Sequence, residues 1–360
     1  MTHKPITDSG LGYFNLARGL GMLLILLGHS ITPFFPAHAP AQTVFAGAGS
    51  VLGGGIMAMF FLSSGFGFYT RSPKKCLSIQ KRLLLKPYCL TTAAILATKL
   101  LLALIKQRSF AENGGELVLT YLLGLNAEGG GQIGPIPIES VSILWFILAL
   151  FGGWIICNSI FRLKDARQKI LLTALCVAAG YGLTCISKVW PYCLPMMLLC
   201  VGYLAAGSLI QRHQLLTKNL PLWCWAGLLA VTCFCAAFGN VNMVACQWKL
   251  GLLDVAGSFC VGFLLMRLYH RFMQRNIHNR LTQGLEAAGF YSVWIVFLHG
   301  YEKVIIPWYR LGGLFPNAPG LAAILCLMAR CAVMYAMFRL LNMANRKQRR
   351  KRRKAITLDS

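Results

Sequence analysis

The chain has 360 residues, of which 57% are hydrophobic and only 12% charged; soluble domains carry about 25% charged residues, so an aqueous globular fold is excluded and a bilayer is indicated as solvent. The formal net charge is +25, but eight of the 35 Lys and Arg lie in one stretch, Arg346 to Lys354 (RKQRRKRRK), and most others fall between apolar runs. That pattern argues against nucleic acid and for a membrane protein oriented on an anionic inner leaflet; the 14 cysteines show no C-x-x-C pair and no zinc-type cluster, so they read as small hydrophobes and no metal is expected.

Ten apolar stretches are long enough to approach a hydrocarbon core of ~30 Å, which takes about 20 helical residues. They fall near 13–35, 47–69, 87–105, 141–161, 170–187, 191–211, 221–239, 250–268, 284–306 and 320–342. Inside a bilayer every backbone polar group needs an internal partner. The expected fold is therefore all-α, a polytopic bundle of about ten transmembrane helices. Ala37-His38-Ala39 mimics a signal-peptide cleavage site, but the preceding run is long, its flanking positives are only Lys4 and Arg18, and Pro40 follows. The first stretch reads as a retained span.

Charge sets the orientation. With the N-terminus in the cytoplasm, the inner segments 71–86, 162–169, 212–218, 267–280 and 346–354 hold 24 Lys and Arg. The outer segments hold Lys106, Arg108, Lys188, Lys249, Lys303 and Arg310. The positive-inside pattern thus predicts both termini in the cytoplasm and an even number of spans. Residues 1–345 form the expected transmembrane domain and 346–360 a basic cytoplasmic tail. The largest outer segment, 106–140, carries Glu112, Glu116, Glu128, Glu139 and a glycine-rich stretch at 129–131. Leu117 to Leu125 reads as a short interfacial helix, in a loop that either caps a site or simply links two spans.

The first span carries the most chemistry. Arg18 and His29 are eleven residues apart, which on an α-helix is three turns plus ~20°, so they share one face about 16 Å apart along the axis. Ionisable groups at such depth are costly and usually face a cavity. An arginine near the inner surface and an imidazole past the midplane suit a passage for a long anionic ligand, with a neutral imidazole able to take a proton from a hydroxyl. The structural alternative is a histidine bonded to a neighbouring helix and an arginine snorkelling to headgroups.

Further motifs follow in order: Phe60-Phe61-Leu62-Ser63-Ser64-Gly65-Phe66, then Lys81-Arg82-Leu83-Leu84-Leu85-Lys86-Pro87-Tyr88, Leu144-Trp145-Phe146-Ile147-Leu148, and Tyr291-Ser292 to Phe297-Leu298-His299. With Arg18, His29 and Ser30 they resemble acyltransferase family 3, membrane enzymes that acylate bacterial surface glycans and lipids, commonly from acetyl-CoA. The resemblance runs across nearly the whole chain in family order. It departs at the basic run: the family often has two arginines three apart, whereas here Leu85 follows Arg82 at that distance and Lys86 comes one step later. Lysine supplies charge without bidentate phosphate recognition.

The resemblance implies an O-acyltransferase of the bacterial cytoplasmic membrane, with acetyl-CoA as co-substrate, no permanently bound cofactor, and a glycan or lipid-linked sugar as acceptor amid membrane lipids. His29 would be general base or acyl carrier, with Arg18, the other catalytic residue, near the donor phosphates at the inner rim. Lys81, Arg82 and Lys86 would hold the donor phosphates by charge-assisted contacts, or else serve only as topology determinants. His299 either lines a cavity with His29 or sits at the outer interface. Glu302, one turn on, orients an imidazole, binds a sugar hydroxyl or is solvated. Asp254 needs a partner in the membrane, with His29 or Arg330 as candidates. Trp145 stacks on a ligand or packs in the core. Ser63, Ser64 and Gly65 read as a close-packing patch rather than a nucleophile. The rival function is a secondary transporter or glycan flippase, against which no paired Gly/Pro-broken helices are evident in two halves.

Overall fold

The computed structural model describes residues 11–34, 41–105, 110–126, 131–133, 136–274 and 279–358; side chains are not described at 11–12, 41–48, 110–114, 133, 136–137, 312 and 341–358. Most of the glycine-rich stretch at 129–131, Lys106, Arg108 and Ala37-His38-Ala39 lie outside the described residues. The described structure is 79% helical, as backbone self-satisfaction in an apolar solvent requires.

A 3-10 turn, Leu11–Phe14, leads into α1 (Asn15–Ile31). Arg18, Met22, Leu26 and Ser30 recur every four residues and are buried, while Leu20, Leu23, Leu24 and Ile31 on the other side are exposed. α1 therefore sits at the rim with one face inward. α2 (Ala41–Phe66) is central and packs against α8 and α10. α3 (Pro73–Gln80), a π turn (Lys81–Leu85) and α4 (Lys86–Ile105) form one 33-residue helical stretch, Pro73–Ile105. Proline opens it without losing a hydrogen bond, since its missing N–H is an orphan there anyway.

α5 (Phe110–Leu122) occupies much of the large connecting segment, followed by a small antiparallel hairpin of β1 (Gly131–Ile133) and β2 (Ile136–Ile138). α6 (Trp145–Phe161), α7 (Ala166–Ile186) and α8 (Leu194–Arg212) pack as neighbours. Asp165 caps α7 by accepting from the Arg167 N–H at 2.9 Å. α9 (Leu222–Phe238) is joined to α10 (Leu252–Met273) through a two-residue ladder of β3 (Val241–Asn242) and β4 (Gln247–Trp248). α11 (Arg280–Phe290), α12 (Ser292–Ile305), α13 (Arg310–Leu314) and α14 (Pro319–Leu358) complete the chain.

Among the described residues seven helical stretches are long and apolar enough to cross a membrane, and the α11–α12 pair makes an eighth if taken as one bent span. α1 and α9, at 17 residues each, rise about 26 Å, short of the ~30 Å core. The protein is thus a multi-pass helical membrane bundle in which length and composition support seven or eight crossings, where the sequence suggested about ten.

The ninth expected span, 284–306, is not one straight helix. It breaks at Tyr291, where α11 and α12 meet at 77°. α11 is clamped against α1 instead: a Cβ added at Gly289 would lie 1.6 Å from the Asn15 carbonyl oxygen, and one at Gly19 would lie 1.9 Å from that of Leu285. Backbones this close admit only glycine. The same device joins α2 to α8, where Gly65 faces Leu204 and Gly207 faces Leu62. Ser63 and Ser64 beside it donate back to the Phe60 carbonyl at 3.0 and 2.9 Å. At the centre, the Phe61 ring is stacked between Phe146 and Tyr203, at 4.7 and 5.8 Å.

Candidate functional site

The break at Tyr291 places His299 as the eighth residue of α12, not fifteen residues into a continuous span. Helix α12 is wedged between α4 and α14. Thr98 and Tyr301 join hydroxyls at 2.8 Å on one side, and Leu26, Leu298 and Met334 pack from α1, α12 and α14 on the other. This packing turns His299 toward α1, where its ring centre lies 5.2 Å from that of His29, the planes inclined at 46°.

His299 and Glu302 are one turn apart and fully buried. The His299 Nδ1 lies 2.5 Å from Glu302 Oε1. A carboxylate only accepts, so Nδ1 carries the proton and donates it. Arg330 of α14 donates from Nη1 to the same oxygen at 3.0 Å, and the Trp308 indole N–H donates to Oε2. Arg330 also lies over the Trp308 ring at 5.1 Å and donates from Nε to the Cys326 sulfur at 3.4 Å. A buried carboxylate is tolerable only with such partners. Glu302 is therefore buried in hydrogen-bond contact with an imidazole rather than solvated.

With its Nδ1 proton committed to Glu302, His299 presents a lone pair on Nε2. That atom is buried and has no hydrogen-bond partner among the described residues. An acceptor in that state costs about 1–3 kcal/mol. His29 is half-buried, and Lys303 and Arg330 lie within electrostatic reach of it. The fold draws the two imidazoles and Glu302, all named from the sequence, into one place.

Arg18 is 8% exposed and approaches Ser63 of α2, Nε to Oγ 3.5 Å. Because α1 is a single helix, Arg18 and His29 lie about 16 Å apart along its axis. Tyr13, Tyr269 and His270 cluster at the Arg18 end of the bundle: the Tyr13 hydroxyl bonds His270 Nδ1 and the Tyr269 hydroxyl donates to the Tyr13 carbonyl. They tie the start of α1 to α10.

Lys81, Arg82 and Lys86 are exposed and line, with Lys74, Leu77 and Ser78, an open groove of about 490 Å³. The π turn there keeps Leu84 buried while Lys81, Arg82 and Leu83 face outward; π turns recur at functional sites. Among the described residues no carboxylate pairs with these cations.

Two candidates stand apart from the histidines. Asp254 is fully buried, but its Oδ2 accepts from the Leu250 N–H at 2.8 Å and the Asn240 N–H at 3.4 Å. It holds the α9–α10 connection; neither His29 nor Arg330 is its partner, and Arg330 belongs to Glu302. Trp145 is 2% exposed, edge-on to Phe61 and Phe146, and so packs in the aromatic core.

Trp308 and the Arg330–Glu302 pairing escaped the sequence reading. A tryptophan after a proline near a span end has the composition of an interface anchor, so nothing in it signalled a carboxylate partner. An arginine inside the last apolar stretch did signal a buried acid, but not which one.

A family model described as an acyltransferase domain matches residues 11–339. It is the same family that the sequence motifs resemble. No curated protein and no solved structure shows significant similarity to the chain.

Proposed function

Because the chain belongs to this acyltransferase family, we propose that it is a membrane O-acyltransferase that moves acetyl from cytoplasmic acetyl-CoA to a hydroxyl of a cell-surface glycan or lipid-linked sugar. It would work in a bacterial cytoplasmic membrane with both ends of the chain inside. The observation that carries this reading is His29 on the inward face of α1, its ring turned to a buried histidine–carboxylate pair.

In the reaction His29 is the general base. The acceptor oxygen forms a bond to the thioester carbonyl carbon as the hydroxyl proton passes to His29; the C–S bond then breaks, and the proton moves from His29 to the departing thiolate. Positive charge from Lys303 and Arg330 nearby favours the oxyanion of the tetrahedral intermediate. Arg18 contacts the donor along the same helix face. Lys81, Arg82 and Lys86 supply the phosphate-binding groove, by charge rather than by a bidentate arginine pair.

The test is incubation of membranes holding the protein with acetyl-radiolabelled CoA. Label should enter the glycan fraction with wild type and not with His29→Ala. A transporter would move glycan across vesicles yet transfer no label in either case.

A further inference from the structure

Three features of the His29 site remain unused by the reaction as written: His299 is completely buried, its Nδ1 is held by Glu302, and its Nε2 is unpartnered among the described residues. We propose that His299 is the positioning residue for His29, accepting a His29 N–H on Nε2 in a Glu302–His299–His29 relay braced by Arg330 and Trp308. This rests on the reading of His29 as the base.

The argument is one of proton direction. Arg330 and Trp308 donate to Glu302, and neither can be an acceptor. As the carboxylate partner of the Arg330 guanidinium, Glu302 has no proton to give and takes the hydrogen bond from His299. That fixes the His299 tautomer with its lone pair on the far nitrogen. The His29 ring centre lies 5.2 Å from that of His299, a separation that a small rotation of the His29 ring turns into one hydrogen bond of ~3 Å to the unpartnered Nε2. A His29 that donates there must present its own lone pair on the opposite nitrogen, toward the half-buried side where a hydroxyl can arrive.

When the acceptor proton reaches His29, the resulting imidazolium shares its positive charge with His299, and Glu302 offsets it. No atom is consumed: the proton taken from the hydroxyl returns to the thiolate, and the relay ends as it began. In the Ser-His-Asp triad a carboxylate orients the histidine base directly; here a second imidazole lies between the carboxylate and the base.

The experiment compares purified His299→Phe, His299→Gln and His29→Ala for turnover and for the KM of acetyl-CoA. Phenylalanine keeps the ring volume but offers no acceptor; the glutamine carbonyl oxygen reaches about where Nε2 lies. The relay predicts that His299→Phe lowers kcat by roughly 10²-fold with KM for the donor within twofold of wild type. His299→Gln should recover at least tenfold over His299→Phe. Equal activity of the two variants, or a wild-type rate in His299→Phe, overturns the relay. If His299 variants do not fold, the double variant Glu302→Gln/Arg330→Met removes both buried charges and keeps an acceptor for Nδ1. Its kcat should fall about tenfold or more, and an unchanged kcat overturns the relay. If His29→Ala is as active as wild type, the reading of His29 as base fails, whatever the His299 variants do.

Discussion

The rings of His29 on α1 and His299 on α12 lie 5.2 Å apart with their planes inclined at 46°. Two features of the backbone create this meeting. Glycines at 19 and 289 let α11 lie against α1, and the 77° break at Tyr291 then redirects α12 so that its eighth residue faces α1. Behind His299, Glu302 draws Arg330 from α14 and Trp308 from the following turn into one buried cluster.

That cluster predicts a stability phenotype. Arg330→Ala leaves Glu302 in the bundle without its countercharge, which should destabilise the protein by about 3–5 kcal/mol. Arg330→Met combined with Glu302→Gln leaves no unpaired charge and should recover most of that loss. Thermal unfolding in detergent reads both. A double variant no more stable than Arg330→Ala would mean that the two charges do not support one another.

Arg18 lies inside the bundle rather than out among lipid headgroups. If it grips the donor, Arg18→Ala removes a charge-assisted hydrogen bond of about 1.5–3 kcal/mol, which corresponds to a rise in the KM for acetyl-CoA of roughly 10- to 100-fold. Arg18→Lys should recover part of it. Steady-state kinetics with varied donor check this, and an unchanged KM in Arg18→Ala removes Arg18 from the donor site.

The groove beside the π turn predicts something different. Lys81, Arg82 and Lys86 are exposed, so their effect on a phosphate should be modest and screened by salt. Arg82→Ala should raise the donor KM several-fold at low ionic strength, leave kcat unchanged, and converge on wild type in high salt. A KM that is insensitive to all three neutralisations would make these residues topology determinants alone.

Much of the fold was legible because a bilayer permits few solutions. In their described residues the ten apolar stretches are largely helical, since composition near Leu222 or Leu252 leaves no other way to satisfy the backbone. What periodicity could not show was the break at Tyr291: apolar residues continue on both sides of it, and the approach of α11 to α1 at Gly19 and Gly289 is a tertiary contact. The small hairpins β1–β2 and β3–β4 were likewise invisible, each strand being only two or three residues long.

The site was partly legible for a related reason. Arg18 and His29 share a helix, so their common face follows from spacing alone. His299 and Glu302 also share a turn, and a carboxylate beside an imidazole was readable. Asp254 misled because a buried acid suggests a buried base, whereas its partners are the backbone N–H groups of Leu250 and Asn240. Backbone donors in a loop leave no trace in side-chain identity. Trp145 had two readings, and its contact with Phe61 of α2 comes from tertiary packing that no local pattern encodes.

The most direct measurement is a single-turnover rate of acetyl transfer for purified His29→Ala, taken together with its equilibrium affinity for acetyl-CoA. The account predicts a rate lower by about 10²- to 10⁴-fold with donor affinity within twofold of wild type. A transfer rate equal to that of wild type, or a loss explained entirely by weakened donor binding, would contradict it.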